Sequence, residues 1–228
     1  YADALAARLQ RAGVRTGDPV ACAFPRSLES VLAVWGIVRA GAAPMLVDPA
    51  QPPARLAAML ADVTVGVGVA ETLPQHVSWL DVASETDEAP GDVTAPAPDA
   101  PAYFVFTSGT TGEPKAVTIT QRAASAFAED LADHLAAAPG DRVLHVAAPS
   151  FDAAMLEILT AGISGATLVI ADADSYGGAA LGELLAQQAI THAILTPPTL
   201  ATLPARELPA LRVLMTGGDR LTADPVAR

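Results

Sequence analysis

The chain is poor in the residues that mark several common function classes. Cys22 is the only cysteine in 228 residues. No internal disulfide can form, and the chain suits a reducing, cytoplasmic compartment. Cations are scarce: 13 Lys and Arg stand against 25 Asp and Glu, for a formal net charge of −12. No basic cluster occurs, which argues against nucleic-acid or anionic-membrane partners. No apolar run reaches about 18 residues and no signal-peptide pattern is present, so no membrane span is expected. His76, His134, His145 and His192 are scattered, without Cys or carboxylate at metal-ligand spacing, and no zinc site is expected. Ser108 lacks a G-x-S-x-G context and is not read as a hydrolase nucleophile.

What is present is material for a core. Hydrophobic residues make up 51% of the chain, enough for one or two globular domains. Helical and extended patterns alternate. Leu5, Leu9 and Ala12 share a helical face, Val20–Phe24 reads as a strand, and Ser27 as the N-cap of a helix running to Ala40. Strands follow at Ala43–Val47 and Val63–Val69, with a helix opened by Pro52-Pro53 between them. Glu71–Pro101 is acidic and proline-rich, and reads as an exposed connection with one short strand near Val77–Val82. After a helix at Gln121–Leu135, strands are expected at Arg142–Val146, Thr167–Ile170, His192–Leu195 and Leu211–Met215. Helices are expected at Met155–Leu159 and Leu181–Ala189, and Pro197-Pro198 as a chain break. This order predicts an α/β fold of two doubly wound, mostly parallel sheets with flanking helices. The boundary is placed at Ala138–Asp141, giving a first subdomain at 1–138 and a second at 139–228.

Two stretches carry chemistry. In the first, the apolar run Tyr103–Phe106 leads into Thr107, Ser108, Gly109, Thr110, Thr111 and Gly112, closed by Pro114 and Lys115. Glycines let backbone N–H groups turn toward one point, hydroxyls add donors, and the lysine adds a mobile charge, which suits a polyphosphate. The spacing is G-x-x-G-x-x-K, not a Walker A loop. A Thr/Gly-rich surface hairpin has the same composition. In the second stretch, Pro149–Glu157, Asp152 stands at the start of a short amphipathic helix, either as an N-cap or as a charged ligand group.

The string TSGTTGEPK, Thr107 to Lys115, resembles the phosphate-binding loop of the adenylate-forming (ANL) superfamily, with Ala116 where the family usually has Gly. The segment Val38–Leu60, with its Arg-Ala-Gly turn, Asp48-Pro49 and Pro-x-x-Arg helix start at Pro52–Arg55, resembles adenylation domains of nonribosomal peptide synthetases. There Asp48 and Arg55 are read as structural. Phe151-Asp152 resembles the Phe-Asp motif of amino-acid-activating members, with Ala154 in place of the usual Ser. The resemblance implies that Thr107–Gly112 and Lys115 hold the β- and γ-phosphates of ATP, Thr107 and Lys115 being the catalytic pair. It implies that Asp152 binds the substrate α-ammonium, and that Phe151 stands at the mouth of the carboxylate channel. An ion pair of that kind is worth about 4 kcal/mol before desolvation at an effective dielectric near 20. Ala153, Leu156, Leu195, Met215 and Gly217 would line the side-chain pocket; none carries a charge or an amide, so a hydrophobic amino acid is expected. Gly217, Gly218 and Asp219 would pass along the adenine.

The implied activity is formation of an aminoacyl-adenylate from ATP with Mg²⁺. The acyl group then passes to phosphopantetheine on a peptidyl carrier domain of a megasynthase, with a C-terminal adenylation lobe and a condensation domain as neighbours. The family's aromatic-Gly-Pro-Thr-Glu motif and its later catalytic lysine are not among these residues. Both ends read as cuts through a longer protein, and residues 1–228 alone are expected to be inactive. A carboxylate–CoA ligase of the same fold and a non-catalytic scaffolding subdomain are the alternatives.

Overall fold

A computed structural model describes residues 1–69, 73–81, 90–92, 95–108 and 114–220. In chain order the elements are α1 (Ala2–Arg11), β1 (Pro19–Ala23), α2 (Leu28–Arg39), β2 (Ala43–Val47), α3 (Pro53–Met59), β3 (Val65–Gly68), β4 (Ser78–Leu80), β5 (Pro101–Ser108), β6 (Pro114–Thr120) and α4 (Gln121–Leu135). There follow β7 (Arg142–His145), α5 (Asp152–Ser164), β8 (Thr167–Ile170), α6 (Gly178–Gln187), β9 (His192–Leu195), α7 (Pro197–Thr202) and β10 (Val213–Thr216). Contacts divide the chain into two compact units, Tyr1–Ala126 and Phe127–Arg228. The division falls inside α4.

The first unit is a six-stranded sheet in the order β4-β3-β1-β2-β5-β6. All pairings are parallel except β5 with β6. Every residue of β2, and all but the first of β1, is buried, as expected of central parallel strands covered on both faces. One side of the core joins Ala21, Met45, Val47 and Val63 to Leu56, Met59 and Leu60 of α3 and its end. The expected strand near Val77 is β4, an edge strand, with Val77 buried and Trp79 packed on that cluster.

Local signals set the helix ends. Ser27 caps α2 as read from the sequence: its hydroxyl accepts from Ser30 N–H at 3.2 Å, and Ser30 Oγ accepts from Ser27 N–H at 3.1 Å. This reciprocal pair satisfies two N–H groups that the first turn leaves without partners. Asp48 makes a turn, with Oδ1 accepting from Ala50 N–H at 2.9 Å. Gly36 lets α1 and α2 approach: a Cβ there would come within 2.6 Å of Leu5 Cδ2.

The second unit is a four-stranded, wholly parallel sheet in the order β10-β9-β7-β8. Strand alternation sends side chains to opposite faces. Leu144, Val146, Ala193 and Leu195 pack with Leu181 and Leu185 of α6, whereas His145 meets α5. Pro197-Pro198 does not break the chain. It opens α7, with Thr196 as N-cap accepting from Thr199 N–H at 3.3 Å, because a proline in the first turn removes an N–H that would have no helical partner. Helix α5 is longer than expected, beginning at Asp152 and ending where Gly165 turns left-handed at φ +69°. No helix among the described residues is long and apolar enough to cross a membrane.

Candidate active site

The phosphate-loop candidates sit on the β5–β6 hairpin. The apolar half of β5 inserts beside β2, with Met45 opposite Phe104, and this anchors the hairpin in the sheet. Thr107 pairs with Lys115 and Ser108 with Pro114 at its open end. Directly opposed residues of an antiparallel pair point to the same face. The exposed hydroxyl of Thr107 and the exposed ammonium of Lys115 therefore stand on one side of the hairpin neck. Gly109, Thr110, Thr111 and Gly112 lie outside the described residues.

The amino-acid candidates belong to the second unit. Strands β7 and β8 run one way from the start of that sheet, and β9 and β10 are added on the other side of β7. This makes the carboxyl ends of β7 and β9 a topological switch point, where open α/β sheets bind ligands. The Phe151-Asp152 connection leaves β7 there, and Thr196 leaves β9.

Asp152 is not an N-cap. Phe151 holds the N-cap position in extended conformation, without a side-chain cap, and is 68% exposed. Asp152 is the first helical residue, and its Oδ1 accepts from Ala153 N–H at 2.8 Å. A carboxylate in the first turn is favoured by the helix dipole, typically by about 0.3–1 kcal/mol at an exposed site. Asp152 is exposed, not sunk in an apolar cleft, and among the described residues no cation pairs with it.

The proposed pocket residues are spread along this edge. Ala153 and Leu156 lie half-buried on α5, which packs on β7 and β8. Leu195 is only 3% exposed and belongs to the core shared with α6. Met215, on the far strand β10, is 42% exposed. Gly217, Gly218 and Asp219 follow β10 and are exposed, with Gly218 at φ +85°. No group of three His, Cys, Asp or Glu among the described residues could hold a metal ion.

Sequence reasoning missed a buried pair beneath this edge. Glu157 and His145 are 0% and 3% exposed, and His145 Nδ1 lies 2.6 Å from Glu157 Oε2. The carboxylate also accepts from Val146 N–H at 3.1 Å and Ala147 N–H at 3.2 Å. Burial pushes the Glu157 carboxyl above its ordinary range; the His145 contact and the two backbone N–H groups oppose that rise without cancelling it. A signal was available. Ala154, Glu157, Ile158 and Ala161 share the buried stripe of α5 at i, i+3, i+4 and i+7. A glutamate in such a stripe requires a partner.

Comparisons with known proteins bear on the family and the fold. The AMP-binding enzyme family matches residues 1–228. CymA of Salinispora arenicola (strain CNS-205), a probable non-canonical nonribosomal peptide synthetase, is 40% identical over 237 residues, covering 100% of this chain and 3% of CymA. A linear gramicidin synthase polypeptide of Brevibacillus parabrevis is 38% identical over 240 residues, covering 100% of this chain and 5% of that polypeptide. The chain therefore spans a small part of these relatives. Among solved structures, the nonribosomal peptide synthetase FmoA3 in its α-methyl-L-serine-AMP-bound form superposes with a TM-score of 0.86 at 27% identity, covering 98% of this chain and 27% of FmoA3.

Proposed function

The chain belongs to the AMP-binding enzymes, and from that premise we propose that it supplies the nucleotide loop and the amino-acid edge of a peptide-synthetase adenylation domain. The reaction has two halves. An amino-acid carboxylate attacks the α-phosphate of ATP, giving aminoacyl-adenylate and pyrophosphate. The acyl group then passes to the phosphopantetheine thiol of a carrier domain in the same megasynthase.

The roles are those that the resemblance implies, set on the positions described. The Thr107–Lys115 neck and the loop it closes bind the phosphates that leave as pyrophosphate, with Lys115 and the Thr107 hydroxyl facing one side. Catalysis by such a loop is charge stabilisation and orientation, not covalent chemistry. Asp152 receives the α-ammonium and turns the substrate carboxylate toward the α-phosphate. Ala153, Leu156, Met215 and Gly217 accept an apolar side chain, with Leu195 closing the floor from the core, and Gly217–Asp219 run along the adenine.

One observation carries the reading: an exposed carboxylate, with no cation on it among the described residues, stands at the start of α5 on the switch-point edge. A fatty or aryl acid has no ammonium to meet it, which disfavours a carboxylate–CoA ligase. The test is ATP–pyrophosphate exchange on the complete synthetase protein. Exchange driven by one or a few apolar amino acids is expected. Exchange driven equally by acids lacking the amine would refute the role of Asp152. ATP failing to bind the complete protein would favour a scaffolding role. Residues 1–228 alone are expected to show no exchange.

A further inference from the structure

Amino-acid activation as described leaves Glu157 and His145 without a part. All three partners of the Glu157 carboxylate lie in one stretch, His145–Ala147, at the end of β7 and the start of the connection to α5. The Ala147 N–H reaches both carboxylate oxygens, at 3.2 Å each. From there a hydrogen-bonded path leads to the substrate edge. Ala148 C=O accepts from Phe151 N–H at 2.9 Å, and Phe151 C=O accepts from Ala154 N–H at 3.1 Å. Asp152 lies between these anchors, and Glu157 projects from the same helix just over one turn further on. The carboxylate thus clamps the helix that carries Asp152 to the strand end from which the connection starts.

We propose that Glu157 and His145 are positioning residues for amino-acid recognition: by clamping the β7–α5 connection they fix where the Asp152 carboxylate stands. This rests on Asp152 being the ammonium partner. Neither residue touches substrate. The clamp needs a carboxylate and not merely a polar group of that size. In a glutamine, either orientation of the amide sets its NH₂ against the Ala147 N–H, because that N–H faces both oxygen positions. That N–H keeps the amide oxygen as its acceptor but gains a donor opposite it at 3.2 Å, and where the NH₂ takes the Oε2 position the Val146 N–H loses its acceptor.

The test uses the complete synthetase protein and ATP–pyrophosphate exchange. Glu157→Gln is expected to raise the amino-acid KM about tenfold while the ATP KM stays within about twofold. Amide hydrogen exchange over residues 147–151 should speed up. His145→Asn places an amide N–H where the ring Nδ1 stands and should lie nearer wild type than His145→Leu. In the Asp152→Asn background, Glu157→Gln should add little further loss, since it acts through Asp152. Equal rises in both KM values, or losses that add to those of Asp152→Asn, overturn the proposal while leaving the activation reading intact. A wild-type protein without amino-acid-dependent exchange overturns both. Should Glu157→Gln fail to fold, the two His145 variants decide: equal amino-acid KM in both overturns the clamp.

Discussion

Replacing Gly36 by alanine sets two effects of opposite sign against each other. Gly36 lies inside α2, where alanine is worth about 1 kcal/mol more than glycine through backbone entropy. The structure decides against that gain. The added Cβ would stand 2.6 Å from Leu5 Cδ2 and 2.9 Å from both Leu5 Cβ and Cγ. The close atoms include the root of the leucine, not just its tip, and Leu5 is buried. Overpacking of this kind costs about 1–3 kcal/mol, and here the upper half of that range applies. The net expectation is destabilisation of the first unit by about 1–2 kcal/mol. Trp35 and Trp79 are the two tryptophans and both lie in that unit, so their fluorescence during guanidinium unfolding reports on it alone. The midpoint should fall with the slope unchanged. Leu5→Ala in the same chain should make the glycine substitution less harmful than it is alone. A raised midpoint for Gly36→Ala would refute the close approach of α1 and α2.

Further outcomes follow from the site and its surroundings. Asp152→Ala should leave the unfolding midpoint within about 1 kcal/mol of wild type, since only an exposed first-turn charge is lost, yet amino-acid-dependent exchange should fall by about a hundredfold or more. Normal exchange would return Asp152 to a local role. Burial pushes the Cys22 thiol up to about 12, so a thiol reagent at pH 8 should label it only after unfolding; rapid labelling of the folded chain would contradict its placement. Burial acts to raise the Asp141 carboxyl, but the Ala138 N–H and the Arg212 guanidinium outweigh it and hold the group below its ordinary range. A depressed folded pKa gives stability that is present above the unfolded value and is lost as pH falls through the folded one. Arg212→Leu should therefore weaken the second unit at neutral pH, with the deficit shrinking in acid; a deficit independent of pH would argue against the pair.

Much of the fold was legible because local signals agreed with tertiary demand. The bounds of β2, β8, β9 and α4 follow hydrophobic pattern and flanking turns, and Ser27 announced the start of α2 by its own chemistry. The misses are of another kind. The start of helix α5 at Asp152 was legible, but the N-cap is an exposed phenylalanine that makes no side-chain cap, and the helix runs on to Ser164, past the Leu159 expected. The prolines at 197 and 198 signal a break through the hydrogen bonds they forbid, but in a first turn those bonds are not needed. The partnership of Glu157 with His145 joins a helix to a strand, and no window of sequence displays it, although the glutamate's place in an apolar stripe does. At the proposed site, the reading of residues 107, 115 and 152 rests on residue identity. Exposure of Asp152 and burial of Leu195 depend on what packs around them.

The burial of Leu195 bears on any attempt to redesign the enzyme. A position that is proposed to line the substrate pocket and that also fills the interior cannot be varied for selectivity alone. Shortening Leu195 to alanine to admit a bulkier substrate would open a cavity among Leu144, Val146 and Leu185, at about 2–5 kcal/mol of folding stability. Met215 and Gly217, exposed at the end of β10, carry no such coupling. Libraries for altered substrate choice should diversify those two first and change residue 195 only together with compensating volume on α6.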